Sequence, residues 1–491
     1  MSILLSDESR KAIVDFIKAS QDRIGVNTEI FSILEGKLKP LLEQRMLEDL
    51  GPKSFEAAKS RIAPINYYRK VIDKLTSIYN QGVVRTVMNG TESDQELVEW
   101  YEKKLNLNHQ LNNNNESLNA YKYSLLQMTL DDPNPITNQR NPFVRTIPNH
   151  EFLIMNTSRV DPTSPDVIII FMGKRGDGTG KEEYVYHVYT DEEFIIINGS
   201  GDLLLDEMER LGLDGDNVLG IKPFVYANMS HNLVMPMPQV DDLSIAVLVP
   251  LLLTDLNYAV KFQAFSMFIA IDIDDSKIEI SPNSVQHLKS DPAGDKPSFD
   301  TIKPTVDIAE VLSLGSSQIS LWLSSKGIRP GSIGQMSGDQ FASGISKMID
   351  ESDTFESRKL QIEIYKAFER EFWDKLLKFL HPLWVTGNLV DNRTIFSPSA
   401  EVVTEFPEPK PMQTRLDLIE EVKAVIDAGL ESRAGALAEL HPDWSEEDIE
   451  AKIQEIDDEA RKVIMSNFGG SDAGAVEQGN ETEDQGAGGF N

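Results

Sequence analysis

Residues 243–271 form one long apolar stretch, and it constrains the fold more than any other feature of the chain. A membrane span would hold Asp255 and Lys261 near mid-bilayer, at about 2.5–3.5 kcal/mol each, and would contain Pro250 as well. The longest unbroken apolar run, from Ile245 to Leu253, is less than half of the ~20 residues needed to cross a bilayer. No membrane association is expected. The stretch reads instead as a helix buried against protein, other subunits included, because it is too apolar for a monomer surface. Nothing at the N-terminus reads as an export signal: Ile3-Leu4-Leu5 is too short, and Asp7 and Glu8 follow at once.

What surrounds the stretch sets an order of elements. A helix over 241–270 leads into a compact insert over 271–304, which holds Pro282, Pro292, Gly294, Pro297 and Pro304 and strand candidates at 268–273 and 277–280. A second helix is expected over 305–325, then a Gly-rich segment over 326–340 with Gly327, Gly331, Gly334 and Gly338. Apolar residues from Phe341 through Tyr365, Phe368, Phe372, Leu376 and Leu380 then predict a very long helix. Ser337 and Gln340 would form its capping box, and Pro382 would end it. Forty helical residues span about 60 Å, more than a compact domain is wide, so such a helix crosses an assembly or bends.

Towards the N-terminus, Ile13, Phe16 and Ile17, then Ile30, Leu34, Leu38 and Leu41, then Ile65, Tyr68, Ile72, Leu75, Ile78 and Tyr79 fall at helical spacings. Residues 97–126 read as helical, with the asparagine run 112–115 as a solvated loop. Four β-branched or aromatic runs, 152–155, 167–171, 184–189 and 194–197, predict a small antiparallel sheet, so the fold class is α+β. Residues 412–491 hold 6 basic and 20 acidic residues, a net of −14 out of −32 for the 491-residue chain. Their first part is helical in pattern. From Gly469 the tail is Gly, Ser, Gln and acid, too poor in apolar residues to fold.

Composition excludes several chemistries. The chain has no cysteine, so disulfides, Cys-ligated zinc, iron–sulfur clusters and thiol catalysis are ruled out. Its negative balance argues against holding nucleic acid by neutralising phosphates, though not against DNA sliding past. The segment 173–181 fails as a phosphate-binding loop, since Gly180-Lys181 is followed by Glu182 and then by a strand; a hairpin turn is the simpler reading. Asp272, Asp274 and Asp275 resemble the start of a calcium loop, but Lys277 and Asn283 stand where Gly and Glu are needed. The seven histidines show no zinc spacing, His187 reads as a packed or surface strand residue, and no nucleophile elbow appears. No metal, no cofactor and no catalytic residue is expected.

In order of elements, residues 241–383 resemble the portal proteins of tailed double-stranded DNA bacteriophages. The resemblance rests on Asp241-Asp-Leu-Ser ahead of a helix containing Leu256-Asn257, then the insert, the second helix and the Gly-rich segment. Ser343-Gly344-Ile-Ser-Lys347 opens the long helix. There Ser346 and Met348 depart from the Ser-Gly-x-Ala-Leu-Lys-like element of such families. The helical residues 67–79, the segment 428–433 and the acidic runs 445–450 and 456–459 also look like parts of these chains.

The resemblance implies a wing over 1–240, stem helices over 241–270 and 305–325, a clip over 271–304 and a tunnel loop over 326–340. It further implies a wing return over 341–411, a crown over 412–468 and a disordered acidic tail over 469–491. Such proteins form a twelve-fold ring at one capsid vertex. Genomic DNA is driven in through it by a separate ATPase, the terminase, and leaves into the tail past a head–tail adaptor. Capsid and scaffold proteins are further partners, and the location is the virion after synthesis in the host cytoplasm. Lys326 and Arg329 would touch passing DNA, and Leu252 with Leu256, four apart on one helix face, would pack between subunits. The acidic balance suits a channel that must not grip, although acidic proteins are equally often acidic for solubility alone. Two alternatives stay open: another ring-forming head–tail adaptor, or a cytosolic enzyme with an unrecognised site.

Overall fold

The computed structural model describes residues 6–80, 82–134, 138–158, 160–176, 182–237, 240–264, 267–271, 298–302, 308–328, 344–407, 415–427, 429, 431–441 and 444–468. They form an α+β structure of helices and small antiparallel sheets, in two compact units, Met1–Pro409 and Lys410–Asn491. The first unit opens with α1 (Asp7–Ala19), α2 (Gln21–Leu34), α3 (Leu38–Ala58) and α4 (Tyr67–Leu75). Ser6 and Asn66 cap α1 and α4 by accepting backbone N–H groups of Ser9 and Arg69. Gly51, at φ +73°, breaks α3 just before Pro52. Helix α4 ends earlier than its apolar spacing predicts, with Ile78 and Tyr79 buried in the turn beyond it.

Next come β1 (Val84–Met88), α5 (Glu92–Leu105), α6 (Leu107–Tyr121), β2 (Tyr123–Leu130) and β3 (Pro142–Ile147). They are followed by β4 (Phe152–Met155), β5 (Val167–Gly176), β6 (Glu182–Tyr189), β7 (Phe194–Asn198), α7 (Leu205–Leu211) and β8 (Phe224–Asn228). The chain continues with α8 (Val240–Ala264), β9 (Met267–Ile271), β10 (Ser298–Ile302), α9 (Ile308–Ser325) and α10 (Gly344–Trp373). A π-helical segment (Asp374–Leu380), α11 (His381–Thr386) and β11 (Glu401–Glu405) close the unit. The second unit holds α12 (Arg415–Asp427), α13 (Arg433–Leu440) and α14 (Glu446–Phe468).

The four apolar runs expected as strands are the antiparallel sheet β4-β5-β6-β7. β5 and β6 pair on either side of 177–181, which lie outside the described residues, as do 272–280, the capping-box residues Ser337 and Gln340, and the tail from Gly469. A second sheet, β3-β2-β8, was not expected. It is buried on both faces: Tyr123, Leu125, Ile147 and Phe224 face one core, while Leu126, Met128, Val144 and Val225 face another. With no polar face there is no alternation, so 123–126 reads as an extension of the helix before it.

The asparagine run 112–115 is not a solvated loop but lies inside α6. Asn114 and Asn115 are fully buried. Asn114 Oδ1 accepts from Ser124 Oγ at 2.9 Å and Tyr365 OH at 2.8 Å, and Asn115 Nδ2 donates to Gln361 Oε1 at 2.8 Å. These amides are bound to α10, which the local sequence cannot show. Nor does Pro382 end the long helix. It follows the π-helical segment directly, in the first turn of α11, and its missing N–H leaves one bond of the continuing helix unmade. Phe368, Phe372, Leu376, Leu380 and Trp384 recur at steps of four, overshooting an α-helical turn by about 40° each time. The wider π-helical turn absorbs that drift, and all five stay in the core.

Glu369 joins this helix to β1 and β11. Its carboxylate and the Arg85 guanidinium are both 0% exposed, with Arg85 Nε donating to Oε2 at 2.6 Å and Nη2 to Oε1 at 2.9 Å. Tyr79 OH (2.8 Å), Thr404 Oγ1 (3.0 Å) and Trp373 Nε1 (3.3 Å) complete its shell, and Glu102 and Asn108 take Arg85 Nη1. Burial alone would lower the Arg85 pKa, but the Glu369 charge and hydrogen bonds outweigh it and hold the guanidinium protonated. Arg85→Met would leave a buried carboxylate with neutral donors only. The expected loss is about 3–5 kcal/mol by urea unfolding; a loss under about 1 kcal/mol would show that the neutral donors suffice.

Two histidines, His381 buried and His187 half-buried, give a pH dependence. His187 packs on Tyr189 and Phe194, and burial pushes its pKa down to about 4. His381 takes Tyr101 OH at Nδ1 (2.7 Å) and donates Nε2–H to the Thr394 carbonyl (2.8 Å); burial lowers its pKa too. Both rings bind protons more weakly folded than unfolded. Their contribution is therefore complete above about pH 6.5 and declines as the pH falls towards 4. The urea midpoint is expected to drop between pH 6.5 and 5, with a shallower slope in His187→Gln. Parallel slopes in the two proteins would remove His187 as a cause.

Candidate functional site

The apolar stretch and its partner helix form a hairpin. Asp242, at the start of α8, meets Trp322 and Lys326 at the end of α9, while Leu252 meets Gly315 at mid-length, so the helices run antiparallel. Strands β9 and β10 extend them, from Met267↔Ile302 to Ser298↔Ile271. The expected first helix thus stops short of 270: Met267 to Ile271 are strand, an arrangement stabilised by pairing with Ser298–Ile302, which local patterning did not single out. α8 of 25 residues rises about 38 Å. No helix among the described residues is long and apolar enough to cross a membrane.

Leu252 is half-buried and packs on α9 of its own chain. A Cβ on Gly315 would lie 3.0 Å from Leu252 Cδ2, so the glycine is what lets the leucine pack onto α9 of its own chain. Leu256 is half-buried on the same helix. α8 also packs on α3 through Leu251, near Met46, Phe55 and Ala58, and Thr254 accepts the Ala63 N–H at 3.0 Å. Apolar side chains nevertheless remain in solvent along both helices: Leu248 and Val260 on α8, and Leu312, Leu314 and Leu321 on α9, the last 74% exposed.

At the base of the hairpin sits a buried charge cluster. Asp242 Oδ1 accepts from Trp322 Nε1 at 2.8 Å and Lys326 Nζ lies 2.7 Å away, with side chains only 7% and 10% exposed. Tyr68 stacks on Trp322, and burial, with the Asp242 charge adding, pushes its pKa well up. Lys122, at the end of α6, is close enough that burial and Lys326 together lower its pKa.

Lys326 was expected on a mobile loop, in reach of passing DNA. It is held instead by Asp242. Gly327, expected to confer mobility, has φ +66° and ends α9: its N–H bonds Ser324 O and the Ile328 N–H bonds Leu323 O. Ile328 is buried in the core, so the segment begins as a packed helix cap. Arg329, Gly331, Gly334 and Gly338 lie outside the described residues. Reasoning from sequence missed Asp242 as the shared partner of Lys326 and Trp322. The only available signal was an acid opening one apolar helix and a lone Trp-x-x-x-Lys closing the other.

Lys326→Met should leave the Asp242 charge with only the indole N–H, at a cost of about 3 kcal/mol in urea unfolding. Adding Asp242→Leu should restore part of that loss, giving a favourable coupling in a double-mutant cycle; additive losses would show that the pair is not coupled.

The chain matches no model of a known protein family, and no curated protein is significantly similar to it.

Proposed function

We propose that the chain is a portal-type protein: a ring subunit, twelve-fold in the virion, lining a channel at a capsid vertex for entry and exit of double-stranded DNA. The carrying observation is the antiparallel pair α8–α9, anchored at one end by Asp242 and Lys326, extended by β9–β10, and left with five large apolar residues in solvent. A monomer gains nothing from exposing them, whereas copies side by side in a ring would cover them. On this reading the hairpin is the stem, the segment between its helices the clip, and the second unit the crown. The partners are a terminase, a head–tail adaptor, and capsid and scaffold proteins. DNA passes without sequence-specific contacts along walls of an acidic protein. The ring does not itself catalyse a reaction.

Negative-stain images of the purified chain test this directly. Radial rings about a central hole are expected; monodisperse monomers would sink the reading, and a measurable turnover would favour an enzyme. Leu314→Asp with Leu321→Asp, seven apart on one exposed face of α9, places charge there and replaces neither Trp322 nor Gly315. This variant is expected to keep its helical circular dichroism and lose rings. Intact rings would leave α9 in solvent within the assembly.

A further inference from the structure

A pocket of about 330 Å³ opens where the end of α2, the start of α4, the second half of α6 and the end of β3 meet. Phe31, Leu34 and Pro148 give it an apolar wall. Its polar side is dominated by acceptors. Glu116 takes Arg69 Nη1 at 2.7 Å and Nη2 at 3.3 Å, and Arg69 Nε also reaches Asp73 at 2.8 Å. Two carboxylates thus share the one guanidinium, which also donates to the Leu34 carbonyl at 3.2 Å, and Glu35 stands on the rim within the field of Glu116. Burial pushes the Glu116 carboxyl above its ordinary value; Arg69 pulls it back, while Asp73 and Glu35 push it up again. The carbonyl end of helix α2 also lies here, where Leu34 O accepts from Arg69 Nη1 and Ile33 O from Asn66 Nδ2 at 2.6 Å.

Two polar groups of the lining residues are buried and unmet. Tyr121 is 3% exposed, its hydroxyl has no partner, and it lies within the fields of Glu116 and Glu35. Asn149 is 1% exposed. Its Nδ2 donates to the Tyr123 carbonyl at 2.8 Å, which fixes the amide orientation and leaves Oδ1 without a partner. Buried groups left unmet are costly and are ordinarily satisfied by a bound partner.

We propose that this pocket binds an alkylammonium group, its three N–H donors shared among a carboxylate, Asn149 Oδ1 and the Tyr121 oxygen, its stem along Phe31 and Leu34. An ammonium offers donors and no acceptor, which is the complement of this lining. The volume admits one side chain or a small amine, not a helix. The group arrives either on a free amine or on a lysine of a protein partner, and the site stands whether or not the chain forms rings.

Titration calorimetry of the full chain with 1,5-diaminopentane and with Nα-acetyl-lysine methylamide separates the sources, with 1-pentanol as the uncharged control. Saturable binding of at least one amine and none of pentanol is expected; the tighter amine identifies the source. Tyr121→Phe should weaken binding about tenfold while melting at or above the wild-type temperature, because an unmet hydroxyl has been removed. Glu35→Gln, an exposed rim change, should weaken it as well. No saturable heat with either amine, or unchanged affinity in both variants, would overturn the proposal.

Discussion

A carboxylate with no exposure to water must find every partner inside the protein, and Glu369 finds its partners in four separate segments. Arg85 comes from β1, Tyr79 from the turn after α4, Thr404 from β11 and Trp373 from the next turn of its own helix. Leaving out any one would strand part of a charge in a low-dielectric core, so the five groups act as a set. The two-stranded sheet β1–β11 is assembled around them, joining residues 84–88 to 401–405. A buried ion pair is weak evidence for stability, because desolvation offsets much of its attraction. What it does here is select an arrangement in which every lone pair is met.

The same logic runs along α10. Gln361 receives Asn115 and Asn119 of α6, and Tyr365 donates to Asn114, so three consecutive turns of the long helix are located by polar contacts within an apolar core. Beyond them, the π-helical segment keeps the residues at four-step spacing turned inwards as far as Trp384. On the other side of this core lies β3-β2-β8, whose opposite face belongs to the core formed by α1, α2, α4 and the larger sheet. A sheet with apolar residues packed on both faces ties the halves of the unit together.

The hairpin α8–α9 is built differently. Its polar anchoring is concentrated at one end, at Asp242, Trp322 and Lys326, and the cap at Gly327 and Ile328 returns the chain to the core there. Further along, contact between the helices relies on Gly315 and Leu252. Part of the apolar surface is thereby covered within the chain, against α3 and α9, and the remainder is left exposed on both helices, at Leu248 and Val260 of α8 and at Leu312, Leu314 and Leu321 of α9.

Local chemistry was sufficient for several elements. The strands β4 to β7 are β-branched runs bounded by turn residues, and α1 and α2 follow their apolar spacing, so patterning alone specifies them. The helix–insert–helix order was also legible, because 243–271 is too apolar to be left in water, yet Asp255 and Lys261 interrupt it and its longest unbroken apolar run, 245–253, falls far short of the ~20 residues a bilayer needs. What could not be read locally were residues whose character depends on distant partners. The asparagines of α6 look like loop because their acceptors are on α10; β2 looks like helix because both its faces are buried; Lys326 looks like a free cation because Asp242 lies 84 positions earlier. Sequence determined which segments must avoid water and with what period. Only the tertiary structure decided where each polar group went, because desolvation makes that choice depend on partners that folding alone brings together.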